Sequence, residues 1–167
     1  MEKIRPENTT LALCGIGYVG YPVALLFASK GFRVVGVDVD EKRVEAVNSG
    51  EMLIKGKEPG LADLVDEVRH LGTFTATTDS KSFKNADFII VAVQTPVGDQ
   101  DRKPAYTHLR SALEAIGTYM KKGVTVIIES TVAPGTTKGI VVPVLEKTSG
   151  MRAGEDFFVV HCPERLM

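Results

Sequence analysis

The sequence predicts an α/β domain with a doubly wound, mostly parallel sheet and helices on both faces. Short apolar, β-branched runs alternate along the chain with segments whose apolar residues recur at helical spacing. The runs are continuous and bounded by turn formers, as expected for strands buried inside a parallel sheet. The 167 residues, 44% of them hydrophobic, suit one domain that buries roughly 70% of its unfolded surface without a disulfide or metal staple.

Element by element, Leu11–Cys14 is a short buried run ending at Gly15. Val19, Val23, Leu26 and Phe27 follow at helical spacing, with Gly31 as a stop. Arg33–Val37 reads as a second strand. Asp40 caps a short helix carrying Val44 and Val47 that ends near Gly50. After a Lys/Gly/Pro loop over 55–60, Leu61, Leu64, Val65, Val68 and Leu71 form one helical stripe. Thr73–Thr77 is β-branched and predicts a strand, and Phe88–Val93 predicts a fully buried one. Val97–Tyr106 is charged and contains proline, and a mobile loop is expected. Leu109, Ala112, Leu113, Ile116 and Met120 define a helix, with Lys121 and Lys122 complementing its C-terminal dipole before Gly123. Val124–Ile128 is a strand, Thr136–Ser149 a helix strained by Pro143, and Phe157–Val160 a last strand. There is no repeat of 20–50 residues and no linker.

Composition excludes several classes. Twenty basic and 21 acidic side chains leave a net charge of -1, which removes the simplest argument for nucleic-acid binding. No apolar run approaches the roughly 18–20 residues of a membrane span, and Met1–Asn8 lacks the apolar centre of a signal peptide. Cys14 and Cys162 have no CxxC or metal-like spacing, so no metal site is expected. Cys14 reads as a small buried hydrophobe, while Cys162 stays open. Two cysteines and no targeting segment fit the reducing cytoplasm.

Chemistry enters with Gly15-Ile16-Gly17-Tyr18-Val19-Gly20. A lone G-x-G-x-x-G is weak, but this one follows the first predicted strand and opens the first predicted helix. Gly15 permits the tight turn, Gly17 removes a side chain that would block a pyrophosphate, and Gly20 lets helix and strand approach. The helix N-terminus offers N–H groups and a positive dipole end to the phosphates. Asp38 ends the second strand, near the spacing at which an acid hydrogen-bonds the adenosine ribose hydroxyls. A carboxylate there repels a 2′-phosphate and favours NAD over NADP, although Lys42 and Arg43 stand close enough to receive one. The fold is therefore of Rossmann type.

Thr95 follows the fourth long strand and Thr131 the fifth, on the side where open α/β sheets bind ligands. For both, a cofactor or substrate contact and a plain turn hydroxyl are equally good readings. Thr136 reads as a helix N-cap. Glu164 and Arg165 follow the last strand, where Glu164 suits proton transfer and Arg165 a carboxylate or phosphate clamp. His70 and His108 sit at helix ends and carry little weight; only His161 shares a strand end with other candidates.

Together, residues 15–20, Val-Asp-Val-Asp-Glu-Lys-Arg-Val (37–44), Glu-Pro-Gly-Leu (58–61), Thr-Pro (95–96), Glu-Ser-Thr-Val-Ala-Pro-Gly-Thr-Thr (129–137) and His-Cys-Pro-Glu-Arg (161–165) resemble the UDP-glucose/GDP-mannose dehydrogenase family over nearly the whole chain. The last motif is similar to the UDP-N-acetyl-D-mannosamine dehydrogenase branch; the UDP-glucose and GDP-mannose branches usually carry Asn-Pro-Glu-Phe there. The resemblance implies NAD-dependent oxidation of a sugar C6 alcohol to a carboxylate, with two NAD per turnover. It implies Gly15, Gly17, Tyr18, Val19, Gly20, Asp38, Arg43, Thr95 and Thr131 as cofactor contacts. Thr131 would also help position a water or substrate hydroxyl, and Glu164 would assist proton transfer or thioester hydrolysis. Glu164, Arg165 and Leu166 would meet the UDP-sugar. Gln94 and Ala133 stand where the family usually has proline, which alters loop stiffness more than chemistry.

The resemblance further implies that residues 1–167 are the N-terminal NAD-binding domain alone. The nucleophilic cysteine, the central helical domain that builds a homodimer and the C-terminal nucleotide-sugar domain would lie elsewhere, so the chain alone is expected to be inactive. UDP-glucose, UDP-N-acetylglucosamine and GDP-mannose are the alternative substrates. A 6-phosphogluconate-type hydroxyacid dehydrogenase shares the Gly-rich start but lacks the two later motifs. A non-catalytic nucleotide-binding regulatory module is the alternative of another class.

Overall fold

A computed structural model describes residues 4–54, 59–98 and 103–163. Six strands, β1 (Thr10–Cys14), β2 (Arg33–Val37), β3 (Phe74–Thr77), β4 (Phe88–Val91), β5 (Thr125–Ile128) and β6 (Phe158–His161), form one sheet. Their order is β3-β2-β1-β4-β5-β6, and every pair is parallel. This is the doubly wound Rossmann order, with its switch point between β1 and β4.

Alternation along the strands distributes side chains to two cores. Leu11 and Leu13 join Val34 and Ile90 under α1 (Gly20–Ser29) and α3 (Leu61–Leu71). Ala12 and Cys14 join Ile89, Val91, Val126 and Ile128 under α4 (Thr107–Tyr119) and α5 (Val142–Ser149). Leu13, Leu109, Leu113, Ile116 and Leu145 are completely buried, each contributing roughly 1.5–3 kcal/mol of hydrophobic stabilisation. The polar helix α2 (Glu41–Ser49) buries no residue fully. Its Asn48 instead accepts the Ala76 N–H and donates to the Ala76 carbonyl, both at 2.9 Å. That closes the outer backbone edge of β3.

Local signals operate as the sequence predicts at several ends. The Asp40 carboxylate accepts the N–H groups of Lys42 and Arg43 at the start of α2, and Gly50 ends it at φ 79°. Three expectations are corrected. The strand Phe88–Val93 leaves the ladder after Val91, because the Val93 carbonyl is taken by the Ser130 hydroxyl at 2.8 Å. The helix expected over Thr136–Ser149 divides into a π-helical stretch, Thr137–Val141, and α5. Pro143 has no N–H to donate and its ring crowds the preceding turn, and widening that turn accommodates it. The loop Val97–Tyr106 is paired at its described base: Ala105 N–H donates to the Pro96 carbonyl at 2.7 Å and Gly98 N–H to that of Lys103 at 2.9 Å.

Candidate dinucleotide site

The parallel register brings the strand ends level. Cys14 lies opposite both Val37 and Val91, Val37 opposite Thr77, Val91 opposite Ile128, and Ile128 opposite His161. The residues just beyond them therefore share one edge of the sheet, although the sequence spreads them over more than a hundred positions. The Gly-rich turn occupies the centre. Gly15 adopts φ +92°, and a Cβ there would stand 2.8 Å from the Ala92 carbonyl oxygen. A Cβ on Gly20 would stand 2.0 Å from the Gly15 carbonyl oxygen, so α1 reaches the strand only without one. A Cβ on Gly17 would meet only the Arg43 guanidinium, 3.8 Å away, leaving the space a pyrophosphate needs. In the first turn of α1 the Tyr21 N–H donates to the Gly17 carbonyl at 3.0 Å and the Val23 N–H to that of Val19 at 3.4 Å, and the positive dipole end of the helix faces the same space. Pro22 sits in that turn, where its missing N–H costs nothing.

Ile16 anchors the turn from below. It is wholly buried, and its Cγ2 would lie 2.6 Å from a Cβ on Gly36. Gly36 on β2 thus makes room for the residue that holds the phosphate loop down. Only the pairing of β1 with β2 assigns it this role.

Asp38 lies beside the turn with its side chain 5% exposed. One carboxylate oxygen accepts the Ile16 N–H at 2.8 Å, and the other accepts that of Asp40 at 3.0 Å. Arg43 approaches Asp38 at 3.4 Å and Asp40 at 3.5 Å. Arg43, one of the two cations that stood as possible 2′-phosphate partners, is thus already paired with two carboxylates. This favours NAD. Tyr18 is 71% exposed at the tip of the turn, and Val19 occupies the N-cap of α1.

On the other side of the turn, Thr95 and Thr131 come together. The Thr95 hydroxyl donates to the Thr131 carbonyl at 2.6 Å, joining the segments that follow β4 and β5. Buried Ser130 donates to the Val93 carbonyl at 2.8 Å. Thr136 makes no side-chain cap; its hydroxyl pairs with that of Tyr106 at 3.1 Å. The same Tyr106 hydroxyl accepts the Ala133 N–H at 2.9 Å. The sequence signals Tyr106 only as the end of a loop. Glu164, Arg165 and Leu166 lie outside the described residues.

Cys14 is buried under the turn. Burial, reinforced by the charge of Asp38, pushes its thiol up to about 12. Cys162 is exposed. Among the described residues no cluster of His, Cys, Asp and Glu could hold a metal ion, and no helix is long and apolar enough to cross a membrane.

The sequence model of the UDP-glucose/GDP-mannose dehydrogenase family, NAD binding domain, matches residues 9–167. A UDP-N-acetyl-D-mannosamine dehydrogenase of Pyrococcus horikoshii is 39% identical over 94% of this chain and 36% of its own length. A UDP-N-acetyl-D-glucosamine 6-dehydrogenase of Pseudomonas aeruginosa is 38% identical over 96% of the chain and 36% of its own length. The crystal structure of NDP-N-acetyl-D-galactosaminuronic acid dehydrogenase from Methanosarcina mazei superposes with a TM-score of 0.90, at 38% identity, covering 95% of this chain and 35% of that one. The chain spans about a third of the length of the relatives it matches.

Proposed function

The chain belongs to the UDP-glucose/GDP-mannose dehydrogenase family as its NAD-binding domain, and from that premise we propose that it is the cofactor-binding third of a UDP-sugar 6-dehydrogenase. The substrate we assign is UDP-N-acetylmannosamine, oxidised at C6 to the uronate with two NAD per turnover. The central helical domain, which would form the homodimer, and the C-terminal nucleotide-sugar domain lie outside residues 1–167 in this reading. The place of action is the cytoplasm.

NAD, when bound, supplies the oxidising equivalents; the chain's own residues bind and orient it. Gly15, Gly17 and Gly20 let the backbone approach the pyrophosphate, and the N-terminus of α1 complements its charge. Asp38 faces the adenosine ribose, with Arg43, Tyr18 and Val19 around it. Thr95 and Thr131 border the nicotinamide half, where Thr131 also orients a water or the substrate hydroxyl. Glu164 moves a proton, and Arg165 and Leu166 meet the nucleotide sugar.

The observation that carries the reading is the Gly-rich turn lying level with Asp38 on one side and the Thr95–Thr131 pair on the other. Titration of the 167-residue chain with NADH and NADPH tests the cofactor assignment: tighter NADH binding supports it, and equal binding overturns it. For the substrate, the complete encoded protein is assayed at 340 nm with UDP-N-acetylmannosamine, UDP-N-acetylglucosamine, UDP-glucose and GDP-mannose. The 38% identity to a UDP-N-acetyl-D-glucosamine 6-dehydrogenase makes UDP-N-acetylglucosamine the second reading. Faster turnover of any other sugar than UDP-N-acetylmannosamine refutes the first.

A further inference from the structure

We propose that Tyr106 is a positioning residue for the nicotinamide half of the site, its hydroxyl holding in place the loop that carries Thr131. The inference rests on the cofactor reading above and adds to it a residue outside the Gly-rich turn. Its basis is the way loop 130–136 is held.

Without regular structure, that loop needs side chains to hold its backbone polar groups. Ser130 anchors its start on the segment that follows β4, donating to the Val93 carbonyl at 2.8 Å. Thr95 donates to the Thr131 carbonyl at 2.6 Å. Beyond Thr131 the loop closes one turn of its own, Thr136 N–H to the Ala133 carbonyl at 3.1 Å, and two further contacts meet on one side-chain atom. The Tyr106 hydroxyl oxygen accepts the Ala133 N–H at 2.9 Å and pairs with the Thr136 hydroxyl at 3.1 Å. Thr136 is itself buried. A single phenol therefore clamps the middle and the end of the loop.

Tyr106 reaches this place because the paired base of the preceding segment returns the chain to its starting point. Ala105 N–H donates to the Pro96 carbonyl, so residue 106 emerges next to Thr95. The ring packs against the core beneath α4, and Tyr106 occupies the N-cap of that helix. A ring held by packing restricts its hydroxyl to a narrow range of positions, and the loop backbone follows. Ala133 is part of the device, since only a residue with an N–H can use the phenol.

Removing the hydroxyl releases Ala133 and Thr136 from their shared anchor and so loosens the loop on the far side of Thr131, without disturbing the Gly-rich turn or Asp38, which lie across the β1–β4 switch point. The two halves of a dinucleotide should then respond differently. The test is Tyr106→Phe in the 167-residue chain, with NADH and ADP-ribose titrated by calorimetry. ADP-ribose carries every part of the cofactor except nicotinamide.

NADH affinity is expected to fall about tenfold, as for a hydrogen bond lost next to a buried partner, while ADP-ribose affinity stays within about twofold. Unchanged ADP-ribose binding also shows that the variant is folded. An equal loss for both ligands, or no loss for NADH, overturns the assignment of Tyr106 and leaves the cofactor reading intact. If the unsubstituted chain binds neither ligand, the cofactor reading itself falls, and this inference with it.

Discussion

The carboxylate of Asp38 accepts the backbone N–H of Ile16 at 2.8 Å, linking the end of β2 to the Gly-rich turn after β1. The same oxygen faces the Arg43 guanidinium at 3.4 Å. One buried acid thus shapes the phosphate loop and restrains the nearest cation. Asp38→Ala leaves the Ile16 N–H without its acceptor, and is expected to cost about 1–3 kcal/mol of stability, read from urea unfolding. Asp38→Asn removes the charge while keeping an acceptor. It is expected to shift the NADH:NADPH affinity ratio toward NADPH by about tenfold or more, and an unaltered ratio would show that Asp38 does not set the preference.

Gly20→Ala probes the approach of α1 to β1. Its new Cβ would stand 2.0 Å from the Gly15 carbonyl oxygen, a backbone atom that cannot rotate away. Overpacking of this kind costs about 3 kcal/mol. Both the melting temperature and NADH affinity should drop, because the displaced backbone forms the phosphate cradle. By contrast, a Cβ at Gly139 meets nothing within 4 Å, so Gly139→Ala serves as the control and should leave NADH affinity unchanged.

The two thiols should separate cleanly under an aromatic disulfide reagent at pH 8. Cys162 is exposed and Cys14 buried, so one equivalent reacts in the folded chain and both react in denaturant. The raised Cys14 pKa also has a sign in stability. Its folded value is about 12 against an ordinary 9.0, so the neutral thiol favours the folded state below pH 9. That contribution is lost as pH rises from 9 toward 12. Cys14→Ala should therefore flatten the alkaline fall in stability, and an identical alkaline profile would count against this origin.

At the opposite end of the sheet, Asp87 accepts the Thr10 N–H at 2.8 Å and pairs with Lys121 at 2.6 Å. Burial raises the Asp87 carboxyl, but the Lys121 hydrogen bond and charge together with the Thr10 N–H outweigh it, and the net shift is downward from 3.8. A lowered carboxylate stabilises the fold above pH 3.8 and loses that effect as pH falls through its folded value. The pair is partly exposed, so Lys121→Met should cost only about 0.5–1 kcal/mol at neutral pH. In acid unfolding series, the gap between the two proteins should close below pH 3.8; a constant gap would point to lost packing instead.

Much of the site was legible because its signals are local. Gly15, Gly17 and Gly20 fall within one turn, and Asp38 ends the neighbouring strand, so spacing along the chain stands in for distance in space. The cap at Asp40 and the stop at Gly50 were readable for the same reason. Tyr106 and Gly36 were not. The partners of Tyr106 lie 27 and 30 positions away, and Gly36 acts on Ile16 only through strand pairing. Val97–Tyr106 looked like open loop because charge and proline are compatible with a paired base as well.

The alternation of apolar runs with helical stripes was enough to specify a parallel sheet covered on two faces, and with it the cofactor turn. Nothing in that pattern states that β4 returns to lie against β1, because strand order depends on which surfaces bury each other. That choice, β3-β2-β1-β4-β5-β6, puts the Gly-rich turn between Asp38 and the Thr95–Thr131 pair. Hydrogen bonds across the switch-point edge then determine which hydroxyls hold the loops and which face a ligand, since each forms only after residues far apart in sequence have packed side by side.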